Sequence, residues 1–245
     1  MSHPRLYIDA PLHTHAEFAL PEGAARHLRV LRMRPGAALT LFDGEGGECN
    51  AELLSIGRHA VRVRVGARHD VDREARARVA LAVGMPANER MDWLVEKATE
   101  LGAAAVQPLV CERAVLRLAG ERAERRRAHW QAIAIAAAEQ SGRTRVPQVE
   151  PVRCFDAWLA ALASATRDDA RVVLSPGDGL PIGAALAGRM PARCVVLSGP
   201  EGGLTAAEED ACKRAGFAPC TLGPRVLRAE TAPLAALAQL TTLFG

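Results

Sequence analysis

The run VVLSGPEGGLTAAEEDACKRAGFAPCTLGPRVLRAETA, residues 195–232, constrains the fold more than any other part of the chain. It opens as an apolar stretch of strand length (195–198), turns on Gly199, Gly202 and Gly203, and enters a helix at Thr205. Thr205 followed three residues later by Glu208 has the spelling of a capping box, which marks the helix start. A second short apolar run and a second loop then lead into another helix. In an open α/β sheet, two such loops lie at the carboxyl ends of strands, where ligands bind. Glycines alone would mark only a turn, because Gly tolerates φ > 0 and Pro fixes φ. Neither GxGxxG nor GxxxxGK[ST] occurs. The second loop changes the balance, since it brings Arg225, Arg228 and Glu230 beside the first.

The rest of the chain supplies a frame for those loops. Residues 1–72 read as short strands, clearest at 5–9, 38–43, 48–56 and 60–65. In the last of these Val61, Val63 and Val65 alternate with Arg62 and Arg64, the period of a half-buried strand. Short strands joined by the turns at 35–36 and 43–47 predict a small barrel. A charged stretch, 68–78, serves as a linker. Beyond it come strand 79–84, helix 88–101, strand 106–110, helix 122–140, helix 155–165, strand 171–174 and a short helix near 182. That alternation predicts a mostly parallel sheet with helices on both faces, hence an α/β domain over 73–245.

Composition narrows the function classes without choosing among them. A chain of 245 residues can bury one large core or two smaller ones. Its net charge is only +3, and Lys97 and Lys213 are its only lysines, so a nucleic-acid reading rests on where the arginines lie. Arg26, Arg29 and Arg32 step by three and predict a basic stripe on one helix face, with no acid from 26 to 42. Arginine forks suit phosphates, although such a stripe also suits a plain solvated face. The six cysteines show no CxxC and no metal spacing, and most are expected as buried free thiols. No metal is expected. No stretch is long and apolar enough for a membrane span or a signal peptide, which points to a cytoplasmic protein.

Four motifs together resemble the RsmE family of RNA methyltransferases, over nearly the whole chain. They are HLRVLR (27–32), KATELG (97–102) with Gln107-Pro108-Leu109 and Glu112-Arg113 after it, AEQSGR (138–143), and the pair GPEGG with LGPRVLRAETA. The resemblance implies a PUA-like RNA-binding barrel over 1–72 and a SPOUT α/β domain with a trefoil knot over 73–245. Chain-connection rules alone would argue against a knot. It further implies a homodimer, S-adenosylmethionine as methyl donor, and methylation at N3 of a uridine in 16S ribosomal RNA.

Site residues follow from the same resemblance. Backbone at Gly199, Glu201, Gly202, Leu222, Gly223 and Leu227 would hold the cofactor. Arg228 would stabilise the uracil anion, with Glu230 orienting it or taking the proton. Arg143 would contact the base or a phosphate, and Arg26, Arg29 and Arg32 the RNA. Glu96, Lys97 and Glu100 read mostly as ordinary helix surface charges. Leu204, where the family commonly has an aromatic, and Val226 for isoleucine are apolar replacements. Two other readings stand beside this one: a SPOUT enzyme for another nucleotide, and a non-catalytic RNA-binding assembly protein.

Overall fold

The computed structural model describes residues 3–87, 89–162, 166–177, 179–186 and 188–245. Contacts divide the chain into two units, Met1–Glu74 with Ala138–Val146, and Ala75–Ala137 with Pro147–Gly245. The division takes in a second segment from the end of a long helix rather than following a single cut near residue 72.

The first unit contains β1 (Arg5–Tyr7), β2 (Glu17–Ala19), α1 (Glu22–Val30), β3 (Ala38–Phe42), β4 (Glu48–Ile56) and β5 (Val61–His69). They form one five-stranded sheet in the order β1-β3-β4-β5-β2, antiparallel except for β1 beside β3. The period-two reading of β5 holds, with Val61, Val63 and Val65 buried and the arginines between them exposed. Those valines share one core with Leu6, Leu39, Leu41, Leu53 and Leu28 of α1. Two register shifts between β4 and β5 add the bends that let a small sheet wrap a core. β2, of three residues, was not expected as an element, whereas α1, of nine, carries the helix expected at Arg26 and Arg29.

The second unit begins with β6 (Arg78–Gly84), α2 (Arg90–Glu100), β7 (Ala105–Val110) and α3 (Gly120–Ser141). β8 (Gln148–Val149), β9 (Arg153–Cys154), α4 (Phe155–Ala161), β10 (Asp169–Leu174), β11 (Leu180–Pro181) and α5 (Ile182–Ala185) follow. It closes with β12 (Arg193–Ser198), α6 (Ala206–Arg214), β13 (Ala218–Thr221) and α7 (Thr231–Phe244). The sheet order is β11-β13-β10-β12-β6-β7-β8, with β9 also beside β7, and every pairing is parallel. Strands buried on both faces need continuous apolar runs, as in Val79–Val83 of β6 and Cys194–Leu197 of β12. β12 lies between β10 and β6, so the chain returns into the middle of its own sheet. α7 packs on β12 and β6 through an apolar face that includes Leu234, Leu237 and Leu240.

Element ends differ from expectation in specific ways. The expected start of α2 at Asn88 lies outside the described residues, as does the expected stretch 163–165 of α4, whose described part stops at Ala161. β8, β9 and β11 have two residues each, too few to show any periodicity. Lys97 pairs with Glu96 at 2.7 Å and Glu100 at 2.8 Å, the surface role expected of those charges. Trp130, almost fully buried, donates its indole N–H to Asp92 at 2.9 Å, which fixes α3 against α2. Five of the six free thiols are buried, and burial pushes Cys111, Cys194 and Cys212 up to about 12. Among the described residues no helix is long and apolar enough to cross a membrane, and no side-chain cluster could hold a metal.

Charge and hydrogen bonds explain why the end of α3 belongs with the first unit. Glu139 accepts the backbone N–H of Tyr7 at 2.9 Å. Arg5 pairs with Glu48 and donates to the carbonyl of Arg143 at 3.0 Å. Arg73 donates to Glu48 at 3.2 Å and to the carbonyl of Gly142 at 2.8 Å. Arg143 donates through Nε to Glu74 at 2.9 Å and pairs with it again through Nη2. Burial alone would raise the Glu48 carboxyl, but hydrogen bonds from Arg5 and Arg73 outweigh it and hold that group below its ordinary range.

Glu139 is the opposite case, because burial raises its carboxyl above the ordinary value. A carboxyl raised in the folded state favours folding below its unfolded value and weighs against it as pH climbs through the folded value. Glu139→Gln keeps the acceptor for Tyr7 and removes the buried charge. Urea unfolding should give the variant a higher midpoint than wild type at pH 8, with the gap closing as pH falls toward 4.

Candidate functional site

A cavity of about 430 Å³ opens at the carboxyl ends of β10, β12 and β13, between the loops that follow β12 and β13. Sequence-expected residues Gly199, Glu201, Leu222, Gly223, Leu227 and Arg228 line it. Gly202 and Glu230 are not among its lining residues, although both belong to the same loops. Every lining residue lies in the second unit.

The first loop is built from its helix end. The expected capping box is present: Thr205 accepts the Glu208 N–H at 3.2 Å, and Glu208 accepts the Thr205 N–H at 2.8 Å. The other Glu208 oxygen accepts the backbone N–H of Glu112 at 2.9 Å, tying α6 to the end of β7. Upstream, Gly203 donates to the carbonyl of Pro200 at 2.8 Å and sits at φ +69°. The left-handed turn is therefore at Gly203 rather than at Gly202. Gly202 is small for a different reason, since a Cβ there would meet Cβ of Arg113 at 2.9 Å. Arg113 braces the loop by donating to the carbonyls of Gly202 at 3.2 Å and Leu204 at 3.4 Å.

Close approach also decides Gly84, at the end of β6. A Cβ at that position would lie 2.5 Å from both Cδ and N of Pro200. Only glycine lets the GPEGG loop rest on β6. Sequence reading missed Gly84 because the constraint comes from a residue 116 positions away, and its one local signal was a glycine ending a strand.

Charges of both signs surround the cavity. Arg228 is exposed at its edge and has no ion-pair partner among the described residues. Its carbonyl accepts from Thr231 at 2.9 Å and Ala232 at 3.0 Å, so its backbone is locked to the start of α7. Glu230 immediately precedes that helix without a capping hydrogen bond; it is buried, and its Oε2 has no hydrogen-bond partner. Arg90, to which the sequence reading assigned no role, lines the cavity and donates to Glu201 at 3.2 Å.

The remaining expected residues lie in the first unit. Arg26 is exposed on α1 and Arg29 is half-buried there, but Arg32 lies beyond the helix end at φ +53°. A single helical stripe of three is therefore corrected to two helical arginines and one on the following turn. Arg29 also pairs with Glu22 at 3.3 Å, an acid two turns upstream that partly offsets the stripe. Arg143 is only 5% exposed and is held by Glu74, so the structure places it in the α3 anchor.

Comparison with known proteins covers the whole chain. The model for an RNA methyltransferase domain matches residues 73–241, and that for an RNA methyltransferase PUA domain matches residues 20–66. Ribosomal RNA small subunit methyltransferase E of Bacillus subtilis (strain 168) is 33% identical over 228 residues, covering 91% of this chain and 89% of that protein. The protein of the same name from Synechocystis is 35% identical over 219 residues, covering 88% and 69%. A crystal structure of ribosomal RNA small subunit methyltransferase E from Neisseria gonorrhoeae, bound to S-adenosyl methionine, superposes with TM-score 0.92 at 36% identity, covering 100% of this chain and 99% of that one. A Legionella pneumophila structure in complex with the bound cofactor SAM gives TM-score 0.89 at 30% identity, covering 99% and 98%.

The two glycines should respond differently to a single methyl group. Gly84→Ala forces the Pro200 backbone to shift, an overpacking cost of about 1–3 kcal/mol. Gly203→Ala meets open space and should lose only the left-handed penalty, about 1–2 kcal/mol. Hydrogen exchange of residues 199–204 separates them: protection should collapse in Gly84→Ala and largely survive in Gly203→Ala.

Proposed function

Because the chain belongs to the RsmE family of ribosomal RNA small subunit methyltransferases, we propose that it methylates N3 of a uridine in 16S ribosomal RNA, with S-adenosylmethionine as donor. The observation that carries this reading is the cavity where two backbone-lined loops meet Arg228, a guanidinium with no ion-pair partner among the described residues. The first unit is a PUA-type barrel and the second a SPOUT α/β domain; the trefoil knot and a homodimer belong to the same reading.

The site suits the cofactor on its own features. Its volume of about 430 Å³ lies in the range of small-molecule sites. Peptide groups of 199–204 and 222–227 offer donors and acceptors for a nucleoside, while Glu201 and Glu209 offer negative charge for the ammonium and sulfonium groups. S-adenosylmethionine supplies an electrophilic methyl group on a sulfonium centre, so no metal is needed.

The chain's own residues meet the demands of the base. N3 of uracil carries a proton at neutral pH and becomes a good nucleophile only as that proton leaves. We assign the proton to Glu230, the carboxylate two positions after Arg228, whose Oε2 has no hydrogen-bond partner. Charge then spreads onto the carbonyl oxygens flanking N3, and Arg228 stabilises it by donating from its guanidinium. A paired N3 is unreachable, so the target base must be splayed out, and the cavity shields it from water. Arg26, Arg29 and Arg32 hold RNA phosphates on the barrel. Arg143, buried against Glu74, fixes the helix end rather than meeting the base.

Arg228→Ala should lower the single-turnover rate at saturating cofactor and RNA by roughly 10²- to 10³-fold, the loss expected of an oxyanion-hole donor. Cofactor affinity should change little, and Arg228→Lys should rescue in part because it keeps charge without the fork. A wild-type rate in Arg228→Ala would remove this residue from the mechanism.

Replacing Arg26, Arg29 and Arg32 together by Ala should weaken RNA binding and flatten its salt dependence, because fewer counterions are released. Arg32→Ala alone should account for a full share of the slope, since Arg32 is exposed and Arg29 is partly held by Glu22. Filter binding from low to physiological salt measures both, and an unchanged slope in the triple variant would sink the assignment.

A further inference from the structure

One guanidinium touches both halves of the candidate site. Arg90, the first residue of α2, directs Nη1 to Glu201 Oε1 at 3.2 Å, while its Nε lies 3.9 Å from Glu230 Oε1. Glu201 is on the loop after β12, and Glu230 immediately precedes α7 after the loop that follows β13. The two carboxylates lie 29 positions apart in the chain, and Arg90 lies more than a hundred positions before either.

The two contacts differ in kind. Glu201 Oε1 accepts a second donor from the same segment, the backbone N–H of Ala87 at 2.9 Å. The segment before α2 thus grips the GPEGG loop through one carboxylate oxygen. The contact with Glu230 is an ion pair without a hydrogen bond, and it is the only ion pair of Glu230 among the described residues. Glu230 is buried, and its second oxygen has no hydrogen-bonding partner. A buried carboxylate without donors is costly unless a countercharge or a ligand completes it. Arg90 supplies the countercharge from 3.9 Å.

We propose that Arg90 is a positioning residue with two separable tasks, holding the cofactor loop through Glu201 and holding Glu230, the carboxylate assigned the proton, through their ion pair. The proposal rests on the methyltransferase reading given above. A planar fork can address two acceptors at once, which a lysine ammonium on a flexible stem does less well. The loss of Arg90 therefore appears in two places. Cofactor affinity falls because the loop loosens, and the rate at saturation falls because Glu230 loses its countercharge.

Double-mutant cycles on the full chain test the two tasks separately. The variants are Arg90→Ala, Arg90→Lys, Glu201→Gln, Glu230→Gln and the pairs of Arg90→Ala with each glutamine variant. Calorimetric titration with S-adenosylmethionine should show Arg90→Ala and Glu201→Gln each binding about tenfold more weakly, the scale of one charge-assisted hydrogen bond, with the pair no worse than either. Glu230→Gln should bind almost as wild type. Single-turnover transfer to 16S ribosomal RNA at saturating cofactor should fall about 10²-fold in Arg90→Ala, the low end for a group acting in the transition state. Adding Arg90→Ala to Glu230→Gln should cost nothing more.

Arg90→Lys should recover one readout further than the other, whereas a residue that only stabilised the fold would move both together. Additive losses in both cycles, or wild-type affinity and rate in Arg90→Ala, would overturn the proposal. If wild type transfers no methyl group to 16S ribosomal RNA, the functional reading fails separately. The same two cycles in urea unfolding of the free protein then decide Arg90: coupling to both carboxylates keeps its dual hold, and additivity removes it.

Discussion

The buried carboxylate of Glu208 is the interaction on which the site depends. One oxygen closes the capping box on Thr205, and the other accepts from Glu112 at the end of β7. Each helix start leaves backbone donors without partners, and an internal carboxylate meets them where water is absent. The start of α6 is thereby fixed to a neighbouring strand end, and the loop just before it inherits that position. Arg113, next in sequence to Glu112, then reaches the carbonyls on the other side of the turn. The C-terminal end of the GPEGG loop is held by a single short segment after β7.

Sheet order explains why those anchors come from so far away in sequence. β12 lies between β10 and β6, so the loop after it has β6 and β7 on one side and β10 and β13 on the other. Gly84 at the end of β6 gives the room, and the absence of a Cβ there lets Pro200 sit on the strand. The second loop, after β13, arrives from the opposite side and runs into α7, which packs on β12 and β6. Two loops separated only by α6 and β13 are thus held by the same central strands. That suits the division of labour proposed here, in which backbone binds the cofactor and side chains handle the base.

How much of this the sequence showed follows the range of each interaction. The capping box, the alternating valines of β5 and the apolar runs of β6 and β12 are local patterns, and each was legible residue by residue. Cavity-lining loops were legible because glycine turns and strand ends are local too. Arg90 and Gly84 were not, since their meaning depends on Glu201, Glu230 and Pro200, more than a hundred positions on. Arg32 was placed on a helix because its spacing fits one, but α1 ends at Val30 and Arg32 adopts a left-handed turn. Spacing gives a periodicity and not its end, and no glycine stop marked that one. Arg143 was read from a motif as a contact for RNA, whereas a buried pair with Glu74 depends on a loop 69 positions earlier.

The anchor around the end of α3 shows how buried charge serves specificity more than stability. Arg5, Arg73, Glu48, Glu74 and Arg143 form linked pairs, several at low exposure, where desolvation consumes much of the Coulomb gain. An apolar cluster of the same volume could match their stability. Their geometric demands are stricter, because Arg5 and Arg73 also donate to carbonyls that sit in one place only. Arg73 to Gly142 and Arg5 to Arg143 are bonds to backbone, so they record the path of the chain and not merely its charge. A sliding or rotated helix end would break these together and leave buried ions unpaired. The anchor therefore fixes residues 138–146 on the barrel in one register, and it does so with residues whose motif alone had suggested a place in the chemistry.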